Sequence, residues 1–272
     1  MKYFLLLVFL FTTLVGQSQY ANSYKNKGVL AVPKTKTVVA LLGNRAYDEA
    51  IQQAMKEYWT HSEYEFKPMK EINNLISDEN LSFILPLTFT ILNADQHQLA
   101  LIIGGKPDIS KYTVLHLVAY AMVDGLNTER NYEECAYRMP HMIKSINSAL
   151  DLVKSEKITM GAKDKLNAYY VSKAPAIKDK ELLVSKDFFG PGMKEDEFGQ
   201  LYKHPYKIVE PEVIAKAIAD KDSSKAYLLN INTKNTYTMV FDAATGDVLY
   251  TESDDKITRK QKVAQLSNSV GK

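Results

Sequence analysis

A mixed α+β fold is expected from this sequence, arranged either as two similar small α/β lobes or as one mixed sheet, with buried central helices joining the parts. Three observations carry that expectation. The continuous apolar run Thr37-Val38-Val39-Ala40-Leu41-Leu42, closed by Gly43-Asn44, has the composition of a strand covered on both faces. Apolar residues at three- and four-residue steps follow it directly, so a helix comes next. Antiparallel strand patterns joined by polar turns then occur near both ends of the chain.

The chain opens with Met1, Lys2 and Tyr3, and then runs from Phe4 to Val15 with only Thr12 and Thr13 interrupting its apolar side chains. This charged start and apolar run form a secretory signal pattern. Gly16 and Ser18 supply the small residues that a signal peptidase requires at its −3 and −1 positions, which predicts cleavage after Ser18. A dozen apolar residues fall short of the ~20 that a spanning helix needs. The expectation is an exported, periplasmic or extracellular chain with no transmembrane segment after cleavage. The single cysteine, Cys135, lies far from the apolar run, so the mature chain is not a lipoprotein, and an intramolecular disulfide is excluded.

Charge excludes little beyond nucleic acid. The 34 Lys and Arg nearly balance the 32 Asp and Glu and are scattered, so no basic face is offered to a polyanion.

In order along the chain, residues 19–36 read as a mobile leader with one short apolar patch, Val29 to Val32. The first lobe, 37–106, begins with the strand at Thr37–Leu42. A helix carries Ala46, Ala50, Ile51, Ala54, Met55, Tyr58 and Trp59 on one side, and Tyr64-Glu65-Phe66 alternates as a second strand. After Pro68 a short helix presents Met69, Ile72, Leu75 and Ile76. Leu81–Leu92 and His97–Ile103 form a hairpin about Asn93-Ala94-Asp95-Gln96.

Residues 107–160 read as central helices. Tyr112–Leu126 is apolar nearly all round, and Tyr132–Val153 places Cys135, Met139, Met142, Ile143, Ile146, Leu150 and Val153 at helical spacing. Pro140 kinks the second helix or marks its restart.

The second lobe, 161–255, reads as strands at Leu166–Val171 and Leu182–Ser185, a Gly190-Pro191-Gly192 loop and a polar helix over Met193–Lys203. A strand at Tyr206–Val209 and a helix from Pro211 to Ala219 follow. A closing meander spans Ala226–Asn232, Tyr237–Asp242 and Val248–Thr251, with Gly246 providing the left-handed residue of its last turn. Residues 256–272 form a basic tail, read as frayed.

The two halves share an order of elements. Tyr64–Phe83 matches Tyr206–Tyr227, with Tyr64 against Tyr206, Phe66 against Ile208, Ile72 against Ile214, Ile76 against Ile218 and Asp78 against Asp220. The match is one of pattern more than of letters, and it predicts an internal repeat with a ligand groove between lobes.

No motif for catalysis stands out, and whether the chain is an enzyme is left open. His61, His97, His116, His141 and His204 are scattered without metal-ligand spacing, and no phosphate-binding glycine loop or nucleophile elbow is present. No cofactor or metal is called for. His116 reads as a core residue of the first central helix, and Cys135 as a buried small hydrophobe. The candidate ligand residues are Trp59, His61 and Tyr64 in the first half and Tyr202, His204 and Tyr206 in the second, which sit at matching positions just before the second strand of each half. The expected function is a non-enzymatic, exported binding protein whose partner is a protein or small molecule of the cell envelope. The alternative is an exported hydrolase whose carboxylates or histidines only the fold brings together.

Overall fold

The computed structural model describes residues 26–91, 94–122, 136–155, 168–190, 192–231, 237–252 and 257–272. The signal-like segment, residues 19–25 and Cys135 lie outside the described residues.

The first lobe contains α1 (Asn26–Ala31), a 3-10 turn (Val32–Lys34), β1 (Lys36–Leu41), α2 (Arg45–Tyr58), β2 (Tyr64–Pro68), α3 (Met69–Leu75), β3 (Leu81–Ile91), β4 (Ala94–Ile103), β5 (Leu117–Met122) and α4 (Met139–Lys154). The second contains a helical turn at 168–171, a 3-10 turn (Ala174–Ile177), β6 (Glu181–Ser185), α5 (Glu195–Leu201), β7 (Tyr206–Val209), α6 (Pro211–Ala219), β8 (Lys225–Ile231), β9 (Tyr237–Asp242), β10 (Val248–Glu252) and α7 (Arg259–Val270). No helix among the described residues is long and apolar enough to cross a membrane.

Each lobe holds one five-stranded mixed sheet, ordered β2-β1-β3-β4-β5 in the first and β7-β6-β8-β9-β10 in the second. The orders, directions and registers coincide strand for strand. Thr37 faces Tyr64 and Ser82 in parallel pairs, as Leu182 faces Tyr206 and Ala226. Even the irregularity coincides. In the first sheet the register between β4 and β5 skips Val118, and in the second the register between β9 and β10 skips Leu249 at the corresponding place. A bulge adds one residue to one strand at a defined point, so a shared bulge is a more specific likeness than shared topology.

The registers also adjust one residue pairing. Asp78 corresponds to Asp222, two positions beyond Asp220, because its Oδ1 accepts from Asn80 N at 2.8 Å as Asp222 Oδ1 accepts from Ser224 N at 2.9 Å. The second lobe has two more residues between helix and strand, so a gapless alignment drifts past that point.

The layers alternate. Val39, Ile84, Leu99 and Leu101 of the first sheet and Leu183, Tyr227, Met239 and Phe241 of the second meet in one apolar cluster with residues of α2, α4 and α6, which therefore form the middle layer. The outer face of the first sheet packs on Ile72 of α3 and its C-cap Ile76, and that of the second on Phe198 of α5 and Val263, Leu266 and Val270 of α7. The lobes thus stack facing the same way, with α4 of the first seated on the second.

Several expectations are corrected. Residues 26–34 of the leader are helical, because Val29 and Val32 bury completely in the middle layer. Within Tyr112–Leu126, residues 117–122 are strand β5, and residues 123–126 lie outside the described residues. An all-round apolar run suits a buried strand as well as a buried helix, and pairing with β4 decides between them. His116 accordingly lies in a half-exposed 3-10 turn before β5, where its Nδ1 accepts from Thr113 N at 3.0 Å. Residues 168–171 of the expected strand Leu166–Val171 are helical. The basic tail is α7, capped by the Thr258 side chain and fixed by three fully buried apolar residues. Pro140 sits in the first turn of α4, where its missing N–H costs nothing.

Candidate functional site

The polar residues of α4 face both lobes: Asn147 and Lys154 bond the Thr60–His61 turn of the first, and His141 and Lys144 bond the second. His141 stacks on Tyr227 and Phe241, with ring centroids 5.7 and 6.4 Å away, and its Nδ1 lies 2.9 Å from the Tyr227 hydroxyl. Burial pushes the His141 pKa down to about 4, so the ring is neutral and accepts that hydroxyl proton. One turn further along, Ser145 is 3% exposed, and its Oγ has no hydrogen-bond partner. Leaving a hydroxyl dry and unpaired costs about 1–3 kcal/mol, and the Tyr202 hydroxyl of the second lobe is buried without a partner in the same way.

Ser145 lines two spaces. One is a cavity of about 10 Å³ shared with Arg138, His141 and Tyr227. The other is an open cleft of about 290 Å³ at the junction of the lobes. One wall of the cleft is the C-terminal half of α4, with Ser148, Asp151, Leu152 and Ser155. Tyr169, Tyr170 and Lys173 form a second wall, and the β9–β10 turn closes the third side with Gly246, Asp247 and Val248.

Local structure holds these walls in place. Asp242 accepts from the backbone N of Ala244 and of Thr245, each at 2.9 Å, and pairs with Lys180 at 2.8 Å, which fixes the turn. Lys144 then ties that turn to α4, donating to Thr245 O at 2.6 Å and pairing with Asp247 at 3.0 Å. Burial raises the Asp247 pKa, but Lys144, the Thr245 hydroxyl and Lys173 outweigh it and leave the carboxyl below its ordinary range. On the second wall the Lys173 ammonium lies 4.7 Å from the Tyr169 ring centroid and 5.8 Å from that of Tyr170.

None of the six ligand residues expected from the sequence lines this cleft. Each triplet is instead part of a fastening within its own lobe. His61 Nε2 lies 3.0 Å from Asn147 O, while the side chain of Asn147 accepts from Thr60 N at 3.0 Å. His204 Nε2 lies 2.9 Å from Ser267 O, while the side chain of Ser267 accepts from Lys203 N at 3.0 Å. Trp59 and Tyr202 meet these imidazoles edge-on, at 5.7 and 5.4 Å. Tyr64 packs edge-on against Phe66 in β2, and Tyr206 leans on Phe198. In each lobe the histidine and the residue before it bind the helix–strand turn to the lobe's last helix.

The residues that do line the cleft left one trace in the sequence. Ser145 and Ser148 of α4 and Ser155 just after it recur at helical spacing beside the apolar positions of that helix, which signals a polar neighbour on that side. Among the described residues no group of three His, Cys, Asp or Glu is placed to hold a metal ion.

Compared with protein-family models, curated proteins and solved structures, this chain matches none.

Proposed function

We propose that this chain is an exported binding protein that holds a small ligand in the cleft between its lobes and does not turn it over. The observation that carries the reading is the cleft itself, walled by α4 of the first lobe and by Tyr169, Tyr170, Lys173 and the β9–β10 turn of the second. The volume, about 290 Å³, is at the lower end of the roughly 300–1,000 Å³ typical of small-molecule sites, which favours a ligand of few atoms. Binding is preferred over hydrolysis because, among the described residues, none of the three cleft serines is hydrogen-bonded to a histidine that would activate it. Export rests on the charged start and apolar run of residues 1–18.

The common strand order, registers and bulge further support reading the lobes as tandem copies of one unit. In that reading the cleft belongs to the junction and occurs once. The β9–β10 connection is a short turn, whereas the matching β4–β5 connection is longer and folds Tyr112 onto its own sheet, where the hydroxyl donates to Ile103 O at 2.9 Å.

The test is a thermal-shift screen of the full chain against a library of small metabolites, repeated with Ser148→Trp to fill the cleft. A compound that raises the midpoint of the parent and not of the variant supports the reading. Stabilisation that survives the substitution, or the absence of any stabilising compound, overturns it. Turnover abolished by one cleft substitution would replace binding with catalysis.

A further inference from the structure

We infer that the ligand of the cleft is a small zwitterion of the α-amino-acid kind, held by Asp151 at its ammonium end and Lys173 at its carboxylate end. This rests on the cleft being a binding site, as proposed above.

The inference follows from which charges in the walls are already neutralised. Asp247 is paired with Lys144 at 3.0 Å and accepts from Thr245 Oγ1 at 2.9 Å, so it has little left to offer a ligand. Asp151 is different. Its side chain is 62% exposed, it touches His61 at 3.5 Å and the neutral side-chain amide of Asn147 at 3.4 Å, and the nearest ammonium, Lys154, is held on the far nitrogen of the His61 ring. Burial lowers the His61 pKa, and its Nδ1 receives the Lys154 ammonium at 3.0 Å, so the ring is neutral and does not cancel the carboxylate. Asp151 also lies in the last turn of α4, where the helix end carries partial negative charge and favours a cation.

Lys173 is the opposite case. Among the described residues it forms no direct ion pair, its ammonium rests on the rings of Tyr169 and Tyr170, and the carboxylate its charge reaches, Asp247, is already bound by Lys144. Among the described residues the cleft therefore offers one carboxylate and one ammonium that are not directly paired with a fixed opposite charge, on different walls, with two aromatic rings between the lobes. A neutral sugar would leave both charges unanswered. A dianion or a dication would satisfy one and be repelled by the other. A small molecule carrying an ammonium and a carboxylate satisfies both, and its side chain meets the tyrosines.

Isothermal titration of the full chain tests this, with L-leucine, L-phenylalanine and L-glutamine each beside its N-acetyl and its amide form, and with glucose as the neutral control. The expected result is binding of at least one free amino acid and at least tenfold weaker binding of both its blocked forms. Asp151→Asn should erase the preference over the N-acetyl form alone, and Lys173→Met the preference over the amide alone. A blocked form or glucose binding as well as the free amino acid overturns the zwitterion while leaving the cleft as a binding site. Silence from every amino acid overturns it too, and the metabolite screen then decides separately whether the cleft binds anything.

Discussion

His61 Nε2 lies 3.0 Å from the carbonyl oxygen of Asn147, eighty-six residues later in the chain, and His204 repeats the relationship with Ser267 at 2.9 Å. In both lobes the residue that receives the imidazole also caps the preceding backbone N–H with its side chain, so one position of the last helix satisfies two groups of a turn. That turn precedes the edge strand of each sheet, and fixing it fixes where the edge strand starts.

His61→Ala is therefore expected to lower stability by roughly 1–3 kcal/mol, since it removes a buried hydrogen bond and frees a carbonyl. His204→Ala, at a more exposed position, should cost less. Urea unfolding followed by circular dichroism measures both. An unchanged midpoint for His61→Ala would show that the fastening carries no weight.

Acid is expected to weaken the contact between lobes through His141. Its pKa falls from the ordinary 6.5 to about 4 on folding, so between those values the unfolded chain binds more protons than the folded one. Stability from this group is complete above pH 6.5 and declines as pH falls toward 4, by at most about 3 kcal/mol. His61, depressed by the same cause, adds in the same direction. Unfolding free energies across the range from neutral to mildly acidic should show this slope, and it should flatten by about one proton in His141→Gln, the residue found at the matching position, Gln261 of α7.

Gly246 has φ +72° and a Cβ there would stand 2.5 Å from His141 Cδ2. Gly246→Ala combines a left-handed backbone with a collision against a ring locked between Tyr227 and α4, and should cost roughly 2–4 kcal/mol. Gly192→Ala is the control, because φ is also positive there and nothing lies within 4 Å. Equal losses for the two would mean that the His141 ring moves aside freely.

Most elements and their order were legible in the residues alone. The β1 run, the α2 periodicity, the β3–β4 hairpin, Pro at the start of α6 and the glycine turn before β10 are all local signals, and local propensity and side-chain period suffice for them. The common order of the two halves was legible for the same reason. Which segments pair, and which faces are covered, was settled by contacts between distant parts of the chain. The apolar run from Leu117 to Met122 is the clearest example, since it became a strand because β4 offered it an edge. Val263, Leu266 and Val270 of α7 likewise became core because the second sheet left a face for them. The same applies to the cleft. Trp59, His61 and their counterparts looked like ligand groups because rings and imidazoles recur at matched places, yet the partners of both histidines lie on helices some sixty to ninety residues away. Ser145, Asp151, Lys173 and Asp247 meet only because α4 of one lobe is seated on the sheet of the other, and a contact between distant segments leaves no period in a sequence.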